Sequence, residues 1–404
     1  MVDGWDYQVV VIGSGAAGLM AAIHAASGSG AVRCALMTDG ALGRSNSIMA
    51  QGGLQLPRPG DEALHAFEED IRRSARDDVD ADRVRTFVEN VEATLSDLVD
   101  WGLLLDRDES GEVVRRTAGG LSEPRVVSVR DQIGPAIVKV LRKVVEQSDV
   151  EILEHTMVVD LRPRDGGIEL DVIDGDGNGR SVCSRAVVCC TGGVTYREAV
   201  ARSFPTTNPA NRNHELFDKL RDLGIPLIQA DYYQYQPYGI VETWGSEVGK
   251  CVPESIINFP VRLLDRDRVD IGEIRRDRYE LTHLMFDLAE AGRAVELEDG
   301  RRGIWLTLSE VGEEDLERAF PKVHRFLQRA GKLGHDILVY PFLHYYLGGF
   351  RTGPMGSTDI PGLYLAGEMV GGLHGRNRLM GNGITDSLVH GAIAGRAVRE
   401  YVGR

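Results

Sequence analysis

Residues 9–18, Val-Val-Val-Ile-Gly-Ser-Gly-Ala-Ala-Gly, decide the fold of this chain. A β-branched apolar run leads directly into a G-x-G-x-x-G motif, and residues 19–26 then have a helical composition. The run is typical of a central strand of a parallel sheet, buried on both faces. Gly13 permits a tight turn, Gly15 lets the backbone approach a pyrophosphate, and Gly18 lets the helix pack closely on the strand. The stretch therefore predicts a dinucleotide at the helix N-terminus.

The composition excludes several other classes of protein. The 404 residues include 46 basic and 61 acidic side chains, and this net charge of −15 argues against nucleic acid or an anionic membrane as a partner. No apolar run approaches the ~20 residues of a membrane span, and residues 1–8 are too polar and short for a signal peptide. The five cysteines include no C-x-x-C pair. We therefore expect a cytoplasmic protein with reduced cysteines and no metal site.

The second predicted strand, residues 32–37, ends in Thr38 and Asp39. This position follows Gly13 by about 25 residues, where a ribose-binding group is expected in a dinucleotide fold. Asp39 could equally begin a turn with Gly40, and the sequence leaves the two interpretations open. A loop of small residues follows at 43–53, and such loops let backbone donors reach a ligand.

Hydrophobic periodicity predicts the remaining elements. Residues 62–101 and 131–145 have a helical pattern, and the charged stretch 263–302 predicts several helical segments. The predicted strands are 151–154, 157–161, 168–172, 181–190 and 363–366, and a helix of small residues is predicted at 384–401. The aspartate-rich turn at 174–179 lacks the downstream glutamate of a calcium loop. The simplest topology is a nucleotide-binding domain, residues 1–232 and 343–404, interrupted by an inserted lid at 233–342.

Five further motifs follow the glycine fingerprint in order. They are A-Q-G-G at 50–53, T-G-G at 191–193, H-Y-Y-L-G-G at 344–349, L-A-G-E at 365–368 and G-L-H-G-R-N-R-L at 372–379. Together they resemble the flavoprotein family of succinate dehydrogenase, fumarate reductase and L-aspartate oxidase, over nearly the whole chain. The resemblance implies an α/β fold: a Rossmann-like FAD-binding domain, with a parallel sheet, helices on both sides and a β-meander, interrupted by an α+β capping domain.

The resemblance also implies FAD as the cofactor. The residues that it implies for FAD binding are Gly13, Ser14, Gly15, Ala16, Gly18, Thr38, Asp39, Ser45, Asn46, Ser47, Gln51, Gly52, Gly53, Val158, Thr191, Gly192, Glu215, Glu368, Asn382, Gly383 and Ile384. Membrane-complex members of the family attach FAD covalently through a histidine in the loop before A-Q-G-G. Asn46 stands there in this chain, and because an amide nitrogen is a poor nucleophile we expect noncovalent FAD.

Family enzymes bind a dicarboxylate through an H-P-T segment, the histidine of H-Y-x-x-G-G and the arginine of N-R-L. His344 and Arg378 match the last two, and Arg378 is suited to bidentate binding of a carboxylate. A structural ion pair for Arg378 and an ordinary core histidine for His344 remain alternatives. The H-P-T segment is replaced by Gln236, Pro237 and Tyr238.

Two family arginines have no match at the positions where the motifs place them. Ile257 falls at the arginine of E-x-x-R-G-E, and Leu284 falls at the proton-carrying arginine of E-L-A-P-R-D. An aliphatic side chain cannot carry a proton. The sequence therefore offers only weak candidates for the proton-transfer group: His283, Tyr238, Tyr345 and Tyr346.

These residues predict an FAD-dependent oxidoreductase. It would exchange hydride between flavin N5 and a C–N or C–C bond beside a carboxylate, with a bulkier or less charged part of the substrate facing Tyr238, Ile257 and Leu284. A catalytically decayed flavin-binding partner protein is the alternative, and an NAD-dependent dehydrogenase is disfavoured by the motifs at 367–368 and 381–383. The sequence identifies neither the direction of the reaction, nor the electron acceptor or donor, nor the oligomeric state.

Overall fold

A computed structural model of the chain describes residues 4–28, 30, 32–210, 213–246, 248–272 and 274–404. Its strands are β1 (Tyr7–Ile12), β2 (Cys34–Met37), β3 (Leu54–Gln55), β4 (Val126–Val127), β5 (Glu151–Leu153), β6 (Met157–Arg164), β7 (Gly167–Ile173), β8 (Gly179–Cys189), β9 (Leu227–Ile228), β10 (Tyr233–Ile240), β11 (Leu263–Leu264), β12 (Val295–Glu296), β13 (Arg302–Leu306), β14 (Ile337–Tyr346), β15 (Gly349–Phe350) and β16 (Leu363–Leu365). Its helices are α1 (Ala16–Ala26), α2 (Asp61–Ser74), α3 (Ala81–Asp100), α4 (Ile133–Glu146), α5 (Thr195–Ala201), α6 (Asn213–Asp222), α7 (Arg278–Glu290), α8 (Glu313–Ala319), α9 (Pro321–Arg329) and α10 (Asn382–Gly403).

The main sheet has seven strands in the order β5-β2-β1-β8-β7-β6, with β16 also paired to β8. Strand β1 is parallel to both β2 and β8, and residues 9–11 are fully buried, as the apolar run predicts. One face packs against α1, α4 and α10, and on the other face residues of β1 and β2 cluster with α6 and with apolar residues of β6 and β7, the last two strands of the same sheet. The expected parallel sheet with helices on both sides and a β-meander is confirmed.

Strand β8 connects the parallel part of this sheet to its antiparallel part. Its first half is antiparallel to β7, whereas its last residues run parallel to β1 and β16. The aspartate-rich turn before it is exposed, and Asp174 Oδ1 accepts hydrogen bonds from the backbone of Asp176 and Asn178. Within the described residues, no group of three or more His, Cys, Asp or Glu side chains could hold a metal ion.

Helices α1 and α10 pack together through small residues. A Cβ on Gly391 would lie 2.4 Å from the carbonyl oxygen of Ala17, and one on Gly395 would lie 2.4 Å from that of Ala21. Because both side chains are absent, the two backbones approach closely. The small-residue helix predicted at 384–401 is confirmed and begins two residues earlier, at Asn382.

The helical pattern at 62–101 forms two helices, α2 and α3. Arg76 and Asp77 between them have positive φ angles, which end α2, and the Asp80 carboxylate then caps α3 by accepting from the backbone of residues 82 and 83. The pattern correctly indicated helix, but periodicity alone did not locate the break.

A second, antiparallel sheet has the order β10-β14-β13-β11, with β12 on β13. Its hydrophobic cluster contains only buried residues between Tyr238 and Tyr340. The prediction of several helical segments at 263–302 is wrong, because the described residues of this stretch form one helix, α7, the strands β11 and β12, and the first residue of β13. The carboxylates of Asp265 and Asp299 accept backbone amides two residues onward and so form turns instead of helix.

The domain boundaries predicted at 232 and 342 stay predictions. Strand β14 continues four residues beyond the second of them, to Tyr346. In the part of the chain that is described, no helix has the length and apolar character needed to cross a bilayer.

Candidate active site

The glycine fingerprint forms the predicted turn between β1 and α1. Gly13 has a φ of +102°, and a Cβ there would lie 2.5 Å from the carbonyl oxygen of Cys190. A Cβ on Gly18 would lie 1.7 Å from the carbonyl oxygen of Gly13, so only glycine allows α1 to pack here. Gly15 is extended and supplies no side-chain cap; Ser47 Oγ accepts from the N–H of Ala16, and the rest of the first turn of α1 is open to a ligand.

Hydroxyl groups connect this turn to its neighbours. Ser14 Oγ lies 2.9 Å from Thr38 Oγ1 and accepts a hydrogen bond from the backbone N–H of Gly43 at 3.0 Å. Ser47 Oγ accepts from the N–H of Ala16 at 3.0 Å. Asp39 is exposed at the end of β2, and its ribose-binding role stays a prediction.

A cavity of about 590 Å³ lies between the parallel-sheet part of the chain and the antiparallel sheet. Eight predicted cofactor residues line it: Asn46, Ser47, Gln51, Gly52, Gly53, Glu368, Gly383 and Ile384. Three predicted substrate residues, Gln236, His344 and Arg378, line the same cavity. The structure therefore brings the flavin motifs and the carboxylate-binding motifs to one place.

The N-terminus of α10 opens into this cavity. Gly381, with a φ of +87°, precedes the helix, and no side chain caps its first turn. Asn382 is buried, and its Oδ1 has no hydrogen-bond partner among the described residues. A helix end with free amides favours negative charge, which suits the charge that a flavin ring gains on reduction.

Glu368 is held rigidly at the wall of the cavity. Its Oε1 accepts hydrogen bonds from the Tyr346 backbone at 2.9 Å and from Thr195 Oγ1 at 3.3 Å, while burial raises the pKa of the carboxyl. A Cβ on Gly193 would lie 2.8 Å from the same oxygen. The open α1 turn, the glycine cradle and the free α10 amides fit FAD.

The remaining predicted cofactor residues lie around this arrangement. Thr191 and Gly192 follow β8 beside the Gly13 turn. Val158 is buried in β6, and Glu215 is exposed in the first turn of α6; neither lines the cavity. Their roles in binding FAD stay predictions, as does that of Ser45.

His344 is a neutral imidazole in this site. Its Nδ1 lies 2.6 Å from Thr207 Oγ1, and the Thr207 side chain also lines the cavity. Burial, together with the nearby cations Arg278 and Arg378, lowers the pKa of His344 well below its usual value. The ring is therefore held in one orientation as a hydrogen-bonding group.

Arg378 is 5% exposed and packs over the ring of Tyr345, with its guanidinium carbon 4.5 Å from the ring centroid. Its Nη1 donates to the Leu379 carbonyl at 3.2 Å, whereas its Nε has no hydrogen-bond partner among the described residues. Burial lowers the pKa of Arg378 to about 10, so the group stays cationic at neutral pH. The alternative of a structural ion pair is not supported, because none of the ion pairs between described residues includes it.

A second buried arginine, Arg278, lines the cavity and is paired with Glu254. The two side chains are 7% and 5% exposed. Glu254 Oε1 also accepts from the backbone of Gly119 at 3.2 Å, and Arg278 Nη1 has no partner among the described residues. A buried cation at a cavity wall with an N–H that has no partner among the described residues can bind an anion.

Two predicted catalytic residues lie elsewhere. His283 is exposed on α7, where its Nδ1 contacts the Tyr279 carbonyl of its own helix. Tyr238 is fully buried among apolar side chains and does not line the cavity, because its strand position points it into that core. Neither side chain therefore lines the cavity with His344 and Arg378. Tyr345 does line the cavity, whereas Tyr346 does not.

The residues predicted to form the substituted wall of the pocket also lie outside the cavity lining. Ile257 and Leu284 pack in or against the core of the antiparallel sheet and do not line the cavity. The arginine of α7 that lines the cavity is Arg278, six residues before Leu284. The sequence contained a signal for the start of α7, because Asp277 followed by glutamate three residues later is typical of a helix N-terminus. In the structure the Asp277 carboxylate does cap α7.

The fold and the site together define a flavoprotein. The family described as FAD binding domain matches residues 8–384, and the chain belongs to this family. It is an FAD-dependent oxidoreductase of the fumarate reductase and L-aspartate oxidase group.

Two relatives and one solved structure show the extent of the likeness. The fumarate reductase flavoprotein subunit of Mycobacterium tuberculosis is 28% identical over 99% of this chain and 70% of that protein. The L-aspartate oxidase of Synechocystis is 29% identical over 95% of this chain and 69% of that protein. The structure of quinol fumarate reductase from E. coli aligns with a TM-score of 0.89 at 23% identity, over 98% of this chain and 70% of that one. The structural likeness shows the fold.

Proposed function

We propose that this protein exchanges hydride between flavin N5 and a carbon beside a carboxylate in a small carboxylic acid. The observation that carries the proposal is the shared cavity, where Arg378 and His344 stand with the flavin loop at 46–53 and the open N-terminus of α10. FAD, when bound, supplies the hydride acceptor or donor. Relatives named for fumarate reduction and aspartate oxidation act on acids of this kind, which supports the proposal.

Each cavity residue then has a role that its surroundings support. Arg378 binds the substrate carboxylate. Its Nε is buried without a partner among the described residues, and packing over the ring of Tyr345 holds the guanidinium in place. His344 orients the same acid as a neutral hydrogen-bonding group, held by Thr207. Gln236 contributes an uncharged amide whose Oε1 is also buried without a partner. Each hydrogen bond to the charged carboxylate contributes roughly 1.5–3 kcal/mol to the free energy of substrate binding.

The proton-transfer role falls to Arg278. Arg278 lines the cavity, its Nη1 has no hydrogen-bond partner among the described residues, and Glu254 holds its Nε, so the guanidinium is kept in place as the group that gives a proton to the substrate or takes one from it. Removing such a group typically lowers a rate 10²- to 10⁴-fold. The sequence had placed the aliphatic Leu284 in this role, and Leu284 does not line the cavity.

The test is an anaerobic visible spectrum of the purified flavoprotein. L-Aspartate or succinate is added to the oxidised form, and fumarate is added to the dithionite-reduced form. We expect one of these to change the oxidation state of the flavin, and Arg378→Gln to weaken the response at least about 100-fold. Arg85→Gln, which changes an exposed arginine on α3, is the matched control and should respond like the parent protein.

A different result would refute the proposal. If FAD binds but small carboxylic acids neither reduce nor re-oxidise it, the chain has no oxidoreductase activity of this type. The alternative of a flavin-binding partner protein would then stand. If Arg378→Gln responds like the parent, the carboxylate site is wrongly placed.

A further inference from the structure

A second cavity, of about 310 Å³, lies beside the candidate active site. Segment 115–130 contributes one side of it, and residues from 255–259 and 319–320, which pack with the core of the antiparallel sheet, contribute the other. Among the described residues, Gly52 alone lines both cavities. The second cavity is therefore a separate space that adjoins the predicted flavin loop.

Three arginines, Arg115, Arg116 and Arg130, line this cavity, and no carboxylate of a described residue does. Asp106 neutralises one of them, because its Oδ2 lies 3.3 Å from Nη1 of Arg116. The same carboxylate accepts the backbone N–H of Arg130 at 2.9 Å and so fixes the position of that residue as well. One acidic group outside the cavity lining thus organises the cluster and leaves an excess of positive charge at the cavity.

The other two arginines make no ion pair with a carboxylate in the described part of the chain. Nε of Arg115 is also buried without a hydrogen-bond partner. Burial and the neighbouring Arg58 both lower the pKa of Arg115, whereas Glu112 acts in the opposite direction. Two guanidinium groups at one cavity are therefore available to an anion.

The opposite wall combines aromatic and polar groups. The rings of Phe259 and Phe320 meet edge to face, with their centroids 5.5 Å apart. Asn258 Nδ2 donates to the carbonyl of Thr117 across the cavity at 3.4 Å, and Ser255 also lines this wall. A ligand here meets guanidinium groups on one side and an apolar surface on the other.

Neither the cofactor nor the proposed substrate accounts for this cavity. Apart from Gly52, none of the residues predicted to bind FAD lines it, and Arg378, His344 and Arg278 all line the other cavity. Guanidinium groups form forked pairs of hydrogen bonds with phosphate oxygens, and two of them without carboxylates suit a doubly charged group. We infer that the second cavity binds a small phosphate ester, with the phosphate at the two unpaired arginines and the organic part against the aromatic wall. This site goes beyond the proposed function and does not depend on it.

The test measures binding by isothermal titration calorimetry on the FAD-loaded protein at constant ionic strength. Phenyl phosphate combines a doubly charged group with a ring, inorganic phosphate lacks the ring, and benzoate has the ring with a single charge. The double variant Arg115→Gln/Arg130→Gln removes the two unpaired cations. Its matched control is Arg85→Gln/Arg318→Gln, which removes the same charge from exposed positions outside both cavities.

Two further variants locate the bound anion. Arg325→Gln/Arg329→Gln removes the same charge from the lining of the active-site cavity. Asn258→Asp adds a negative charge to the wall opposite the arginines, at an exposed side chain where substitutions change stability little, and leaves all three arginines in place. Melting temperatures and FAD content are measured for every protein.

We expect the parent to bind phenyl phosphate at least about tenfold more tightly than benzoate, and more tightly than inorganic phosphate. Arg115→Gln/Arg130→Gln should bind phenyl phosphate at least about tenfold more weakly, and Asn258→Asp should weaken binding as well. The other two double variants should stay within about threefold of the parent. Because a ligand that binds only the folded protein stabilises it, phenyl phosphate should raise the melting temperature of the parent.

Two outcomes would overturn the inference while leaving the proposed function intact. In one, the parent does not bind phenyl phosphate, or the Arg115→Gln/Arg130→Gln and Asn258→Asp variants bind it like the parent. In the other, the affinity is lost in Arg325→Gln/Arg329→Gln instead, which would place the anion in the active-site cavity. Absence of hydride exchange in a protein that still binds phenyl phosphate would refute the proposed function alone.

Discussion

The Arg278–Glu254 pair allows stability and catalysis to be separated. Arg278→Gln leaves Glu254 buried at 5% exposure without its cation. Breaking a buried ion pair in this way costs about 3–5 kcal/mol. With an unfolding entropy of about 2.1 cal/mol/K per residue, a chain of this length should lose roughly 4–6 °C in melting temperature.

The double variant Glu254→Gln/Arg278→Gln removes both charges together. Because replacing a whole buried pair is often neutral for stability, we expect most of the lost melting temperature to return. The rate of hydride exchange, measured by stopped-flow absorbance of the flavin, should stay 10²- to 10⁴-fold low in both variants, since neither has the proton-carrying group.

Arg76→Gln is the matched control. Arg76 contacts the helix-capping Asp277 at 2.8 Å from outside the cavity, so this variant tests whether a disturbed start of α7 alone lowers the rate. The reasoning fails if Arg278→Gln retains a rate within about threefold of the parent. It also fails if the double variant recovers its rate together with its stability.

Three further predictions follow from single positions. Gly18→Ala should abolish FAD binding in a fluorescence titration, because its Cβ would lie 1.7 Å from a carbonyl oxygen, while Gly403→Ala, with open space around it, should bind normally; retained binding in the first variant would contradict the turn geometry. Acid precipitation should release all of the flavin into the supernatant, because Asn46 offers no nucleophile; a yellow protein pellet would show a covalent bond. Burial lowers the pKa of His24 to about 4, despite Asp97 at 3.5 Å. In the unfolded chain the His24 imidazole binds a proton near pH 6.5, whereas in the folded protein it does so only near pH 4. The free energy of unfolding should therefore fall as the pH drops below 7, by about 2 kcal/mol at pH 5. His24→Gln should reduce that fall in melting temperature, and an unchanged pH profile would exclude His24 as its source.

The parallel sheet could be predicted from the sequence because its signals are local. The apolar run at 9–12, the glycines after it and the hairpin at 168–188 each depend on period, turn residues and sterics within a short segment. The charged stretch 263–302 was predicted incorrectly, because a pattern of charges does not distinguish a turn from a helix surface. Asp265 and Asp299 accept backbone N–H groups two residues onward and so form turns.

The candidate site was only partly predictable. His344 and Arg378 lie in motifs that place them together, and the structure brings them into one cavity. Arg278 was missed because the comparison with the family motif placed Leu284 at the proton-carrying position. Only the start of α7 identifies Arg278 as the side chain that lines the cavity. The place of α9 in the cavity wall could not be predicted at all, because the helix is held by the carboxylate of Asp131, which lies 191 residues before Lys322 and accepts its backbone N–H.

The position of β16 and α10 in the chain has a consequence for when the cavity forms. Strand β16 pairs with β8, and α10 packs on α1, yet these final elements lie more than 350 residues after β1. At about 5–20 residues per second, a ribosome needs roughly 20–80 s to reach them from the glycine fingerprint. Throughout that time the nascent chain has only the first part of the cavity wall and lacks the start of α10, which opens into the cavity. The cavity can therefore form only after β16 and the start of α10 have left the ribosome.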